Sequence, residues 1–326
     1  MKKTWLMVLI VISLFVLVLY KVRPERLLAA VAGVNWLWVG VALVLNIANI
    51  GVESLRWQQL FFSMEKRPRF KRVFGAFLVG FFGNILFPLR VGDGFRVYFL
   101  SRQEKIKAAD VIWTFLLDRI VDILFFLVLI GVTGLYFPLS GETEKAFHLL
   151  LLALSLSVVV ASSLAYLFSR GALENLSGWR KRLRKFVDRL RLMCRSLFRA
   201  KNLSFVSALA VFSWFLRVLI IFMMLKAFNL PLPFVASVIA VIMVNLGLAA
   251  VNTPANVGGF EVALVAALKL FAVDTGTALS CALLLHVVEV VPVFLMGGAV
   301  VIKTGFQPGR AKKEAREIEA RIEEAL

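Results

Sequence analysis

The sequence predicts an all-α polytopic membrane protein: six transmembrane helices plus two re-entrant helical hairpins in an inverted repeat. Three observations predict it. The 326 residues are 60% hydrophobic and contain apolar runs long enough to cross a bilayer core. Leu, Val, Phe and Ala dominate those runs without alternating polar and apolar ten-residue segments, so helices rather than a barrel satisfy the backbone in lipid. One short motif also occurs twice, as P-L-R-V-G-D-G-F-R over 88–96 and P-A-N-V-G-G-F-E over 254–261. Pro88 and Pro254 lie 166 positions apart, each where an apolar stretch breaks on Pro and Gly. Paired breaks of this kind point to a transporter's binding site.

The apolar runs are 4–20, 33–62, 73–87, 109–137, 146–168, 203–228, 234–252, 259–272 and 276–302, with a further short piece at 94–101. The first follows Lys2 and Lys3 like a signal peptide, and Ala30-Val31-Ala32 offers a cleavage-like site. The charged stretch 21–26 separates the two, so the run reads as an uncleaved span. Run 33–62 opens the first unit, 73–101 forms a hairpin around the first break, and 109–137 closes the unit at 33–137. Span 146–168 lies outside the repeat. Run 203–228 opens the second unit, 234–272 forms its hairpin, and 276–302 completes 203–302. The whole of 1–302 is one membrane domain, followed by a tail at 303–326.

Loop charge sets the orientation. With each hairpin entering and leaving on one side and the N-terminus cytoplasmic, the inside segments carry 27 Lys/Arg and the outside segments 4. This is the positive-inside imbalance of a cell (inner or plasma) membrane protein with both termini cytoplasmic. The formal charge of +18 therefore belongs beside anionic lipid, and nucleic-acid binding is not expected. Loop 170–201 holds 11 Lys/Arg, and Leu183, Phe186, Val187, Leu190, Met193 and Leu197 recur at helical spacing. It reads as an amphipathic helix on the anionic inner leaflet, or equally as a solvated loop that sets topology. The mixed-charge tail 311–326 acquires no function. Cys194 and Cys281 form neither a disulfide framework nor a metal pattern.

Charged residues inside apolar segments are expensive and mark function by default. Lys226 and Lys269 sit near segment ends and snorkel. Arg119 and Arg217 lie roughly 15–20 Å from their helix ends and need buried partners or a wet cavity. Asp122 lies three residues from Arg119 and Glu53 three from Arg56, so each pair is expected to share a helix face, as partners or as part of an interhelical ion pair. At the breaks, Gly92-Asp93-Gly94 and Gly258-Gly259 each open a short helix whose free N–H groups suit an anion such as a lipid phosphate. Arg90 and Arg96 add planar forks for phosphate. Asn256 stands where the first break has Arg90, and Glu261 near the equivalent of Arg96, so the halves differ in charge. Arg119/His286 and Asp122/Glu289 match at offset 167, and Arg56/Arg217 at offset 161. His286 and Glu289 share a face as a proton relay or as a hydrogen-bonded pair. Asp118 and Asp122 could hold a metal, but one such pair is weak; no metal and no cofactor is expected.

The stretches N-I-L-F-P-L-R-V-G-D-G-F-R, D-R-I-V-D and N-T-P-A-N-V-G-G-F-E, in this order and spacing, resemble the lysylphosphatidylglycerol synthase transmembrane region, the flippase-like domain family. The resemblance covers nearly the whole chain and implies a lipid translocator. In the namesake proteins this domain flips an aminoacylated phospholipid made by an attached synthase domain. Such a domain is not expected here, so the chain itself should not aminoacylate. Relatives that stand alone serve diverse lipids, including polyprenyl-linked sugars, glycolipids and hopanoids. The family's breaks map onto Pro88, Arg90, Gly92, Asp93, Arg96, Pro254, Gly258, Gly259 and Glu261, and its Arg-Asp helix onto Arg119 and Asp122. Asp93 replaces a frequent Glu, and Asn256 a small residue. The expected activity is non-enzymatic movement of an anionic or zwitterionic phospho- or glycolipid between leaflets, with a lipid-synthesising enzyme as a possible partner. The competing expectations are a membrane subunit that recruits or regulates such an enzyme, and an intramembrane metal-dependent transferase.

Overall fold

A computed structural model describes residues 32–62, 67–87, 90–136, 202–250 and 253–306. Spans 4–20 and 146–168, loop 170–201, Cys194, Pro88 and the tail beyond 306 lie outside the described residues. The described residues are helical, without strands. They form α1 (Trp36–Gln59), α2 (Phe70–Leu86), α3 (Val91–Glu104), α4 (Ala108–Tyr136), α5 (Asn202–Ala227), α6 (Phe234–Ala250), a short 3₁₀ turn (Pro254–Asn256), α7 (Gly259–Lys269) and α8 (Thr275–Thr304). Three of them, Trp36–Gln59, Leu203–Ala227 and Thr275–Thr304, are long and apolar enough to cross a membrane. Helix α4 has 29 residues but carries Asp118, Arg119 and Asp122 near its middle.

Local chemistry sets the ends. The Asn35 side chain accepts from Leu37 N–H at 3.1 Å and starts α1. Asp274 accepts from Gly276 and Thr277 N–H at 2.9 and 3.0 Å and starts α8. Phe87, the residue before Pro88, is extended at φ −125°, as the proline ring demands, and α2 stops there. Pro292 lies inside α8 and has no N–H for the Val288 carbonyl. Asn46 of α1 supplies the missing donor, its Nδ2 lying 3.0 Å from that oxygen.

The packing pairs the two halves. Exchanging the first four helices for the last four maps the principal contacts onto one another: α1–α2 onto α5–α6, α2–α3 onto α6–α7, α3–α4 onto α7–α8, α1–α4 onto α5–α8, α4–α5 onto α8–α1, and α4–α6 onto α8–α2. The closest packing is α1 on α5, which maps onto itself. These two helices run antiparallel, because Asn35 N–H donates to the Ala227 carbonyl at 2.8 Å while Glu53, near the other end of α1, reaches Arg217 in the middle of α5. Two apolar cores result. One gathers Trp57, Phe77, Phe95, Phe99 and Leu117 of α1 to α4; the other gathers Ile221, Val241, Leu264 and Leu285 of α5 to α8.

Glycine lets the helices beside each break touch. A Cβ on Gly80 would lie 2.9 Å from Arg96 Cβ and 3.2 Å from the Gly92 oxygen. A Cβ on Gly247 would lie 2.7 Å from Ala263 Cβ and 3.3 Å from the Gly259 oxygen. Each member of the second set stands 167 positions after its counterpart. In this register Ala263, two residues beyond Glu261, occupies the place of Arg96. Close approach through small residues is how helices pack where the surroundings are as apolar as the side chains.

Candidate functional site

Both breaks bend through left-handed backbone. Arg90 has φ 52°, Ala255 53° and Asn256 61°, with Gly258 at 91°. Arg90 and Asn256, 166 positions apart, thus share a conformation that is uncommon away from glycine and that persists only where its surroundings hold it. Gly92 has ordinary helical backbone, and its need is spatial: a Cβ there would collide with the Gly80 carbonyl and the Asn84 backbone. Gly94 meets nothing within 4 Å and has no unusual φ, so the break does not require it.

Between the breaks lies a cavity of about 360 Å³ to which all eight helices contribute. Of the residues expected at the site, Glu53, Arg90, Asp93, Arg96, Arg119, Asp122, Arg217, Asn256 and Glu289 line it. Four others do not. Arg56 is 0% exposed and sealed behind the cavity wall, and Asp118, Glu261 and His286 are also buried behind the lining. The Pro254 side chain and Pro88 lie outside the described set.

Apart from the long Arg119–Asp118 contact along α4, the charges pair across helices. Arg56 donates through Nε to Asp118 and through Nη1 to Asp122, both at 2.9 Å. Arg217 of α5 donates to Glu53 at 2.6 Å and stands 3.7 Å from Asp122. Glu53 therefore serves Arg217 and Asn49, and not Arg56. Asp122 serves Arg56 and Arg217, and not Arg119. The interhelical ion-pair alternative holds instead: Asp122 of α4 accepts from Arg56 of α1, and Glu53 of α1 accepts from Arg217 of α5. Lys226 and Lys269 are exposed near their helix ends, as expected.

Two arginines keep free donors. Arg96 is 3% exposed; its guanidinium is packed 3.4 Å from the Phe77 ring centroid and 3.9 Å from that of Trp57, a cation–π seat. Asp118 approaches its Nη2 only to 3.6 Å, and neither Nε nor Nη2 has a hydrogen-bond partner. Arg119 reaches Asp118 at 3.5 Å through Nη2, while its Nε is unpartnered. Both line the cavity on the side of the first break. Buried donors without acceptors are costly.

The second break is tied differently. His286 Nδ1 lies 2.5 Å from Glu261 Oε1, and His286 Nε2 lies 2.8 Å from the Ala255 carbonyl. The other Glu261 oxygen accepts from Gly258 N–H at 2.7 Å. His286 therefore pairs with Glu261 and not with Glu289, which faces the cavity. Asp118 and Asp122 both turn to Arg56, and no group of three metal-ligating side chains occurs among the described residues. Cys281 is buried and free.

Sequence reasoning missed the uncharged polar lining: Asn46, Asn49, Asn84, Asn245 and Thr253. The signal was present, since Asn46, Asn49, Asn84 and Asn245 interrupt apolar runs, but attention to charge passed over it. Asn84 Nδ2 lies 3.4 Å from Asp93 and so spans the α2–α3 break.

The chain is similar in sequence to several named proteins. A UPF0104 membrane protein of Methanothermobacter thermautotrophicus is 21% identical over 310 residues, 89% of this chain and 90% of that protein. A UPF0104 membrane protein of Methanocaldococcus jannaschii is 28% identical over 138 residues, 41% of each chain. The glycosyltransferase AglD of Haloferax volcanii is 22% identical over 138 residues, 42% of this chain but only 22% of that protein. The match to the family of the lysylphosphatidylglycerol synthase TM region runs over residues 4–297, from the first apolar run through most of α8. The chain belongs to that family.

Proposed function

We propose that the protein carries the headgroup of an anionic or zwitterionic phospho- or glycolipid between leaflets by alternating access at its two breaks, without catalysing a reaction. The observation that carries this reading is the cavity of about 360 Å³, bounded by both breaks and lined by Arg96 and Arg119, two arginines whose hydrogen-bonding capacity is not filled by the protein. Its volume suits a headgroup and not acyl chains, since small-molecule pockets run from about 300 to 1,000 Å³. Phosphate oxygens match the free guanidinium donors in charge and geometry. The antiparallel α1 and α5 and the exchange symmetry of the contacts support an inverted repeat, in which each break faces a different leaflet. In this reading six spans and two re-entrant hairpins cross a cell membrane with both termini cytoplasmic, and loop 170–201 rests on the anionic inner leaflet.

Reconstitution tests it. Vesicles carrying the protein should equilibrate a fluorescent anionic phospholipid between leaflets, and Arg96→Ala or Arg119→Ala should each slow this by about tenfold or more, the loss of one charged hydrogen bond. Unaltered flux in both variants would sink the proposal. A second reading, a membrane platform beside a lipid-modifying enzyme, draws on the relative named as a glycosyltransferase. It predicts binding of the lipid without flux.

A further inference from the structure

The contacts between α8 and the second break count protons. A backbone carbonyl only accepts, so His286 Nε2, 2.8 Å from the Ala255 oxygen, carries a hydrogen. At 2.5 Å, His286 Nδ1 and Glu261 Oε1 do not face each other with two lone pairs, so a second proton lies between them. Glu261 uses its remaining oxygen to accept from Gly258 N–H. The Glu261–His286 pair therefore holds one proton more than a neutral imidazole beside a carboxylate.

We propose that Glu261 and His286 form a proton-binding site that latches the second break. With the proton bound, the pair is neutral overall and grips both Ala255 and Gly258. Release of one proton leaves a net charge of −1 and a single N–H on the ring. That hydrogen serves either Glu261 or the Ala255 carbonyl, and the other contact becomes a repulsion between lone pairs. Ala255 and Asn256 stand in left-handed backbone without being glycine, a conformation that relaxes once it is no longer held. Deprotonation thus frees the break, and reprotonation closes it.

Among the described residues, Glu289 offers the proton a path to the cavity. Glu289, one turn along α8 from His286, opens on the cavity, with Arg217 of α5 and Glu53 of α1 as its charged neighbours. Helix α6 carries no charge, and the charges of α2, Lys71 and Arg72, lie in its first turn, at the end away from the break. On α7 the other charge, Lys269, is at the far terminus. The proton passes by Glu289 to cavity water. This deepens the transport reading and rests on it only for the coupling of protons to lipid.

Hydrogen exchange of the segment 253–262 in the full-length protein, compared between wild type and Glu261→Gln, tests the latch. The glutamine accepts from Gly258 and donates to a neutral Nδ1, so it keeps every contact without the extra proton. The wild-type to E261Q exchange ratio should be flat near pH 6 and then rise by about tenfold per pH unit once the proton leaves, the slope of a one-proton linkage. A ratio flat up to about pH 9 overturns the latch, because it removes the proton from the opening equilibrium. If E261Q does not fold, nitrogen-15 NMR of a His148→Gln protein reads the remaining histidine directly. A doubly protonated ring at about pH 7 is expected, and a singly protonated one overturns the proposal. Lipid flux under an imposed pH gradient is read separately. No flux with a rising ratio sinks transport and leaves the latch; flux with a flat ratio sinks the latch alone.

Discussion

At the scale of the residue, the buried ion pairs carry unequal duties. Arg56 is sealed and holds Asp118 and Asp122, so Arg56→Ala leaves uncompensated charge in an apolar interior. It should cost about 3–5 kcal/mol, read as a lower midpoint in thermal unfolding of the purified protein. Arg119, whose side chain is 34% exposed on the cavity, has one long contact to Asp118. Arg119→Ala should change stability by less than about 1 kcal/mol while weakening lipid flux, which separates architecture from binding. Asp274 is exposed just before α8, and hydrogen bonds from Thr277 and Gly276 hold its carboxyl below the usual carboxylate range. A depressed carboxylate contributes stability that is present above its unfolded value and lost as pH falls through the folded one. Asp274→Ala should therefore cost about 1 kcal/mol at neutral pH, and the difference from wild type should begin to fade as pH falls below about 4 and be lost only below the folded value.

At the scale of the element, the breaks are built by contact as much as by punctuation. The two glycines of G-D-G look equivalent in sequence, yet only Gly92 faces the Gly80 carbonyl. Gly92→Ala should destabilise by about 1–3 kcal/mol through overpacking of α2 on α3, whereas Gly94→Ala should be neutral or stabilising by about 0.5–1 kcal/mol from helix propensity. Thermal unfolding of the two variants side by side reads the contrast. Helix α8 gives a second case. Pro292 announces a free carbonyl four residues earlier, but nothing in the sequence tells which helix supplies its donor; the packing assigns Asn46. Asn46→Ala should cost about 1–3 kcal/mol by leaving that carbonyl unsatisfied.

At the scale of the whole molecule, the two halves repeat in backbone but not in charge. The Gly80–Arg96 contact of the first half becomes Gly247–Ala263 in the second, so the buried guanidinium has no counterpart across the pseudo-symmetry. The first break carries free anion donors, and the second carries the Glu261–His286 tie. If the cavity opens alternately to each leaflet, single cysteines at positions 90 and 256, in a background lacking Cys194 and Cys281, should each react with an impermeant thiol reagent from both faces of the membrane, since both positions line the one cavity. Labelling of both confined to one face would end the alternating-access scheme.

The sequence by itself determined the helices among the described residues, their limits to within a few residues, the two breaks and the offset that relates them. These follow from local rules: apolar runs, proline without an N–H, and the even spacing of a repeat. It also marked nine of the charged and polar residues that line the cavity, because a charge inside an apolar run needs either water or a partner. Tertiary structure alone decided the partners. Helical spacing fixes which side chains share a face, but whether Arg56 or Arg217 meets Glu53 depends on which helix is packed against that face. Exposure was decided in the same way. Arg56 and Arg119 are both arginines in apolar helices, and only the wall built by α1, α4 and α5 places one behind it and the other at the cavity.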